Sequence, residues 1–146
     1  MTVAQKCSEN SLASVLIVDD NPTHMQIYAW IVERSGYVPL LAPVRFEGVE
    51  FPEEIPDLVL LDYHLGGLTS AVDVARLMLE KQPAIPIVVL SDAHEMPEDI
   101  APFVNGFVRK GNPERLTAVL QEFLPRSPVT QPAWSKELMR DYWKRA

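Results

Sequence analysis

The sequence predicts a doubly wound α/β fold, in which a parallel sheet is covered by helices on both faces. Three short apolar runs carry no polar residue at alternate positions, which is typical of strands buried on both sides. These runs are Val15–Val18, Leu58–Leu61 and Ile87–Leu90. Segments of helical periodicity lie between them, and strands and helices alternate five times along the chain. This alternation predicts a parallel sheet with right-handed crossovers.

The first strand–helix unit is the clearest in the sequence. The strand Val15–Val18 ends on the acidic pair Asp19–Asp20. Asn21 and Pro22 follow, and a capping residue before a proline predicts the start of a helix. Apolar residues then recur at helical spacing until Gly36, whose position is typical of a helix C-terminus.

The second unit is less regular. A strand is predicted over Tyr37–Ala42, and Pro39 places it at the edge of the sheet because proline donates no ladder hydrogen bond. Val44–Phe51 is interpreted as one short helix, weakened by Gly48, and a loop up to Pro56 follows it.

The remaining helices are predicted from the residues that start and stop them. Ser70 and Asp73 have the spacing of a capping box and begin the helix that follows the third strand. Pro97 and Pro102 leave room only for a short or distorted helix after the fourth strand. Asn112–Pro113 then start a strongly amphipathic helix.

The domain organisation follows from these elements. The last strand is predicted at Gly106–Arg109, and Pro125 ends the helix that follows it. We therefore expect one domain over residues 14–125. A loose N-terminal arm, residues 1–13, precedes it, and a proline-rich linker with a C-terminal helix, residues 126–146, follows it.

The C-terminal segment contains an apolar stripe. An amphipathic helix is predicted over Ser135–Arg145, and Trp134 directly before it lies at helical spacing on the same face as Leu138 and Tyr142. Two interpretations remain open, because such a stripe can pack on its own domain or form a dimer or partner surface.

Composition and charge limit the classes of function. The chain has 146 residues, of which 47% are hydrophobic and 23% charged, as in a soluble globular protein. We see no secretory signal and no apolar run of the roughly 20 residues that span a bilayer. The net charge of −7 argues against direct nucleic-acid binding. Cys7 is the single cysteine, which excludes an internal disulfide and favours a cytoplasmic location.

Polar side chains directly follow four of the predicted strands. Asp19 and Asp20 follow the first strand, Asp62 the third, Ser91 the fourth and Lys110 the fifth. Because the carboxyl ends of parallel strands lie at one edge of the sheet, we expect these side chains to share a crevice. Three clustered carboxylates cannot all stay ionised without a cation, and a hard divalent ion such as Mg²⁺ suits oxygen ligands.

Such a site suits phosphoryl transfer. Asp62 could attack phosphorus and form an aspartyl phosphate, with Lys110 neutralising the phosphoryl oxygens and Ser91 donating a hydrogen bond to one of them. Two other interpretations remain. Asp62 can cap the turn that follows its strand, or Asp62 and Lys110 can form a standing ion pair without turnover.

Four stretches resemble the receiver domain of two-component response regulators. They are VLIVDD at 15–20, DLVLLD at 57–62, IVVLS at 87–91 and FVRK at 107–110. The resemblance covers about residues 14–125. It implies a flavodoxin-like fold with a five-stranded parallel sheet in the order 2-1-3-4-5, which agrees with an edge position for the second strand.

The resemblance also implies a role for each residue in the crevice. Asp62 would be the phosphoacceptor. Asp20, Asp62 and the backbone carbonyl of His64 would hold Mg²⁺ or Mn²⁺. Asp19 would assist through a water molecule.

Switching and partners are implied in the same way. Ser91 would be the switch hydroxyl and Phe107 the switch aromatic, while Lys110 would contact the phosphoryl group. A histidine kinase or a histidine phosphotransfer protein would be the phosphoryl donor, and a downstream protein, or a second copy of the chain, would bind the switched surface. A domain of this kind is a signalling module that assists its own phosphorylation, and it is not an enzyme in the ordinary sense.

Several positions depart from the pattern of that family. Asp92 stands where a small residue is usual and would repel a phosphoryl group if it pointed inward. Gly111 stands where a cis proline is usual, so we expect the loop that carries Lys110 to differ. The loop Tyr63–Gly67 lacks the common Met-Pro, and the helix after Pro97 is reduced.

These departures keep a second function open, that of a degenerate receiver that binds partners or dimerises without phosphorylation. A third function, a small-molecule phosphatase or phosphotransferase, is the least favoured. Such enzymes commonly need an acid/base carboxylate two residues after the nucleophile, where this chain has His64. They also need a cap domain, for which the chain has no room.

Overall fold

The computed structural model describes residues 12–125 of the chain. The strands are β1 (Ser14–Asp19), β2 (Val38–Arg45), β3 (Gly48–Val49), β4 (Leu58–Asp62), β5 (Ile87–Ser91) and β6 (Gly106–Arg109). The helices are α1 (Pro22–Arg34), α2 (Ala71–Lys81) and α3 (Pro113–Phe123), with a 3-10 turn at Ala101–Phe103. None of these described helices is long and apolar enough to cross a lipid bilayer. The predicted linker and C-terminal helix, and nearly all of the predicted N-terminal arm, lie outside the described residues.

The strands form one sheet in the order β3-β2-β1-β4-β5-β6. Every neighbouring pair in this order is parallel except β3 with β2. The doubly wound fold and the predicted order of the five parallel strands are therefore confirmed. The expected five-stranded parallel sheet is corrected in one respect, because β3 adds a sixth strand that pairs antiparallel with β2. β2 is thus the outermost parallel strand, as Pro39 indicates, and β3 covers its carboxyl-terminal end.

The short helix predicted over Val44–Phe51 is wrong, because this segment is a β-hairpin. β2 continues to Arg45, and β3 pairs with it after a tight turn. β-branched valines in both arms favour strand pairing, Gly48 weakens a helix, and an ion pair of 2.9 Å joins Arg45 to Glu50. These contacts form across the turn and not along one face of a helix. Helical periodicity within the segment therefore does not indicate its structure.

Capping residues start the three α-helices of the described part, as the sequence predicts. The side chain of Asn21 accepts hydrogen bonds of 2.9 and 3.1 Å from two backbone amides in the first turn of α1. Ser70 and Asp73 form the reciprocal capping box of α2, and Asn112 caps α3. The reduced element after Pro97 is also confirmed, since a 3-10 turn is found there.

Each face of the sheet has its own hydrophobic core. α1 and α3 cover one face, where Ile17, Leu60 and Leu120 are fully buried. α2 and the 3-10 turn cover the other face, which contains Leu16 and Leu61 and is called the α2 face below. Among the described residues the α2 face has a single α-helix, because a hairpin stands where another helix was predicted.

We expect Leu60→Ala to lower the free energy of unfolding by about 2–5 kcal/mol, the usual cost of a cavity at a closed core position. Leu60 is 0% exposed and lies at the centre of the sheet. Leu68→Ala is the matched control, since Leu68 is 74% exposed and the same change there should cost less than about 0.5 kcal/mol. Urea unfolding measures both values, and equal losses would contradict the central position of β4.

Candidate functional site

Three carboxylates meet at the carboxyl edge of the sheet. Asp19 ends β1, Asp20 follows it, and Asp62 ends the neighbouring strand β4. One oxygen from each of the three side chains lies within 4.8 Å of the others. Asp19 and Asp62 are buried, whereas Asp20 is exposed to solvent. The parallel pairing of β1 with β4 places the two strand ends side by side, which brings the predicted cluster together.

Lys110 reaches into this cluster from the loop after β6. Its Nζ lies 2.9 Å from Oδ1 of Asp62, and both side chains are largely shielded from solvent. The backbone amide of Lys110 donates to the carbonyl of Ser91 at 2.9 Å, which extends the β5–β6 ladder and fixes the start of the loop. The described residues contain no cis peptide bond, and Gly111 adopts a φ of 86°. The loop with glycine in place of proline therefore still directs Lys110 to Asp62.

Asp19 is the deepest of the three carboxyl groups. Burial raises its pKa to about 8, the nearby Asp62 carboxylate adds to this rise, and a hydrogen bond from the backbone amide of Asn21 opposes it. That hydrogen bond reaches Oδ1 at 2.9 Å, while Oδ2 is buried without a hydrogen-bond partner within residues 12–125. A buried oxygen without a donor, beside two further carboxylates, fits a hard divalent cation such as Mg²⁺.

Asp20 lies on the open side of the cluster. Its Oδ2 accepts a hydrogen bond of 3.0 Å from the backbone amide of Gly66. A Cβ at position 66 would come within 2.9 Å of that oxygen, so a larger residue there would make the Asp20 side chain shift. Asp20, His64 and Ser70 line an open cavity of about 380 Å³. This cavity gives water and a ligand access to the Asp20 side of the cluster.

The structure places the remaining predicted residues near this edge but does not test their roles. Ser91 ends β5 and is buried, and its hydroxyl accepts a hydrogen bond of 3.1 Å from the amide of Ala93. Phe107 lies in β6 and packs, half-buried, in the core of the α2 face. The amide of His64 donates to Asp62 Oδ1 at 3.3 Å, and the metal-binding role of its carbonyl stays a prediction. Asp92 is exposed.

Two residues of α1 border the site and were missed from the sequence. Tyr28 is buried below the carboxylates, and burial, followed by the charges of Asp19 and Asp62, raises the pKa of its phenol. The pKa of His24 is lowered by burial and then by the charge of Lys110. Both follow Asp20 within two helical turns, and this position in α1 is the available signal. Tyr28 also falls at the helical spacing of the buried apolar residues of α1, which conceals its proximity to the acidic site.

A parallel sheet that gathers three carboxylates and a lysine at its carboxyl edge has the architecture of a receiver-type signalling domain. The model of the response regulator receiver domain family matches residues 15–121. The chain belongs to this family of two-component signalling domains. Receiver domains bind Mg²⁺ through acidic residues and interact with kinases or phosphotransfer proteins and with downstream effectors.

Individual relatives agree with this assignment. Protein PilH of Pseudomonas aeruginosa is 33% identical over 82 residues, which are 55% of this chain and 68% of that protein. The polar-differentiation response regulator DivK of Brucella ovis is 27% identical over 120 residues, 82% of this chain and 87% of that protein.

Solved structures show the same fold. The chemotaxis protein CheY4 of Vibrio cholerae superposes with a TM-score of 0.64 at 21% identity, covering 78% of this chain and 100% of that one. The response regulator TrrA of Thermotoga maritima, in complex with Mg²⁺ and BeF, superposes with a TM-score of 0.65 at 21% identity, covering 77% and 100%.

The raised pKa of Asp19 predicts how stability depends on pH in the absence of divalent ions. Its carboxyl has an ordinary pKa of 3.8 and a pKa of about 8 in the folded chain, so between these values the folded state binds a proton that the unfolded state has lost. The free energy of unfolding should therefore fall as pH rises through this interval. Urea unfolding with a chelator present measures the slope.

Asp19→Asn removes this titration and should flatten the slope. Asp73→Asn is the control, because Asp73 is an exposed capping residue of α2 and should leave the slope unchanged. A slope that persists in Asp19→Asn would show that burial of Asp19 is not its cause.

Proposed function

We propose that this chain is a phosphorylation switch in which Asp62 accepts a phosphoryl group from a histidine kinase or a histidine phosphotransfer protein. The observation that carries the proposal is the 2.9 Å contact between Lys110 Nζ and Asp62, which clusters with the buried Asp19 and the exposed Asp20. A nucleophile, a cation-binding oxygen set and a fixed ammonium group are then present within one site.

The transfer step follows from this arrangement. An oxygen of Asp62 attacks phosphorus, the new O–P bond forms, and the N–P bond to the donor histidine breaks as the imidazole leaves with its electron pair. Asp19, Asp20 and Asp62 would hold Mg²⁺, with the backbone carbonyl of His64 as a further ligand. The ion, when bound, supplies positive charge to the phosphoryl oxygens.

The chain's own residues complete the neutralisation of charge. The Lys110 ammonium already points at Asp62, so a small movement lets it pair with a phosphoryl oxygen. Ser91 ends β5, the strand next to β4, and its hydroxyl is placed at the same edge of the sheet. We propose that it turns from its present hydrogen bond to Ala93 and donates to the phosphoryl group.

Switching then consists of a change in a partner-binding surface. Ser91 moves toward the phosphoryl group, and Phe107 in the neighbouring strand β6 repacks with it, which biases the domain between two states. The domain proposed for this role is residues 14–125. It acts in the cytoplasm, and its output is a downstream protein or a second copy of the chain.

The alternative is a degenerate receiver, and one observation favours it. The segment between β5 and β6 contains a 3-10 turn and no α-helix, so less of it is available for a switched surface. In this alternative the same domain binds partners whether or not Asp62 is phosphorylated.

We expect the chain to form a phosphoryl adduct when it is incubated with acetyl phosphate and Mg²⁺, because Asp62 is a carboxyl nucleophile next to the proposed ion site and 2.9 Å from Lys110. Intact-mass spectrometry detects the adduct. Asp62→Asn should abolish it, whereas Asp57→Asn should retain it, since Asp57 bonds to Ser14 at the opposite edge of the sheet. No adduct on the folded wild-type chain would support the degenerate receiver.

Ion binding is tested separately by isothermal titration with MgCl₂. Asp20→Asn should weaken Mg²⁺ binding about tenfold or more, because it removes one of three carboxylates from the oxygen cluster. Asp99→Asn is the matched control, since Asp99 lines the same open cavity but is outside the cluster. Equal weakening in both variants would mean that bulk negative charge, and not ligation, holds the ion.

A further inference from the structure

The α2 face has a groove at the amino-terminal edge of the sheet, at the opposite end of β4 from Asp62. It has a volume of about 270 Å³ and lies between the end of α2 and the loop that leads into β4. Leu16, Phe51 and Met78 form an apolar floor, and Ile55 beside them is 73% exposed. A cavity of about 150 Å³ accepts a benzene ring, so this groove has room for an aromatic side chain.

We propose that the C-terminal segment of this same chain, Trp134–Arg145, docks in this groove through the stripe formed by Trp134, Leu138 and Tyr142. The groove lies on the face of the sheet where a predicted helix is replaced by a hairpin. An amphipathic helix is what the sequence predicts for this segment. The segment thus brings a matching apolar face to the less covered side of the sheet.

The described chain ends within reach of the groove. The Tyr37 hydroxyl donates to the carbonyl of Pro125 at 3.3 Å, and Tyr37 directly precedes β2. β2, β1 and β4 start side by side at this edge, about 4.8 Å apart per strand, which gives roughly 10 Å from β2 to β4. Pro125 follows α3 on one face of the sheet and the groove lies on the other, so the path around the edge adds roughly 10 Å, the usual separation of packed layers. The linker 126–132 spans up to about 25 Å when extended, which covers this path.

Charge also favours this occupant. Residues 133–146 contain four basic and two acidic side chains, although the whole chain has a net charge of −7. The rim of the groove presents Glu53 and Glu54, both exposed. Lys81, the basic residue of the rim, is turned toward the ring of Phe51, with its Nζ 4.6 Å from the ring centroid. The carboxylates of Glu53 and Glu54 can therefore attract the basic side chains of residues 133–146.

Paramagnetic relaxation in the full chain tests this proposal. A nitroxide is attached at position 136 of the chain carrying Cys7→Ser and Lys136→Cys, and the amide signals of the ¹⁵N-labelled protein are compared before and after reduction of the label. We expect the amides of Glu53, Ile55 and Gln82 to lose most of their intensity. The amides of Gly66 and Gly111, at the opposite edge of the sheet, should keep theirs.

Two further variants of the labelled chain separate docking from chance proximity. Leu138→Glu removes an apolar contact and should restore the groove signals. The pair Glu53→Lys and Glu54→Lys should restore them in part, whereas Glu114→Lys, an exposed glutamate in the first turn of α3, should have no effect. Raised salt should act like the charge reversal.

Mixing identifies other occupants. Spin-labelled chain without ¹⁵N is added to ¹⁵N chain without the label, so that any broadening arises between two molecules. The mixture is compared with the doubly labelled chain, which carries both the nitroxide and ¹⁵N. If the groove signals broaden equally in the two samples, the occupant is a second copy and the proposal is overturned. Undiminished groove signals in the doubly labelled chain, or broadening confined to another surface, would overturn it as well. None of these outcomes depends on whether Asp62 is phosphorylated.

Discussion

The burial of Asp19 beside Asp62 is the constraint on which the rest of the site depends. Taking two carboxyl groups out of water next to each other is unfavourable, and it raises the pKa of Asp19 to about 8. Lys110, 2.9 Å from Asp62, and the backbone amide of Asn21 offset part of this cost. What remains is one buried oxygen of Asp19 that a cation would stabilise. The electrostatic cost of the folded site would therefore be the source of the divalent-ion affinity that we propose for it.

Much of this site could be predicted from the sequence because all strands of a parallel sheet end at the same edge. A polar residue that directly follows a buried apolar strand therefore lies at that carboxyl edge, close to the residues that follow the neighbouring strands. Asp19, Asp62, Ser91 and Lys110 were located in this way, without knowledge of any distance. The caps of the helices were equally predictable, since Asn21 satisfies amides within its own turn.

The parts that could not be predicted depend on contacts between distant residues. The hairpin at Val44–Phe51 is stabilised by pairing across a turn. The periodicity of apolar residues within a single segment does not indicate such pairing. Helical spacing predicts that Tyr28 is buried, as it is. The same spacing does not show whether its hydroxyl faces the core or the acidic site. The backbone amide of Gly66 donates to Asp20, which lies forty-six positions earlier, and the spacing of the two residues in the sequence does not indicate this contact.

The same hairpin also touches both ends of the sheet. Its turn lies at the carboxyl edge, where the carbonyl of Phe46 accepts a hydrogen bond of 3.2 Å from Leu68, in the loop after Asp62. A few residues later, Phe51 lines the groove at the opposite edge. Helix α2 also spans the two ends, because Ala71 lines the open cavity beside Asp20 and Met78 lines the groove. β4 joins the two ends more directly, but every residue of it is buried, and a close-packed strand has a single arrangement. A partly exposed hairpin has fewer core contacts to lose than β4 has, so a shift between the acidic edge and the groove would disturb less of the core along the hairpin than along the central strand.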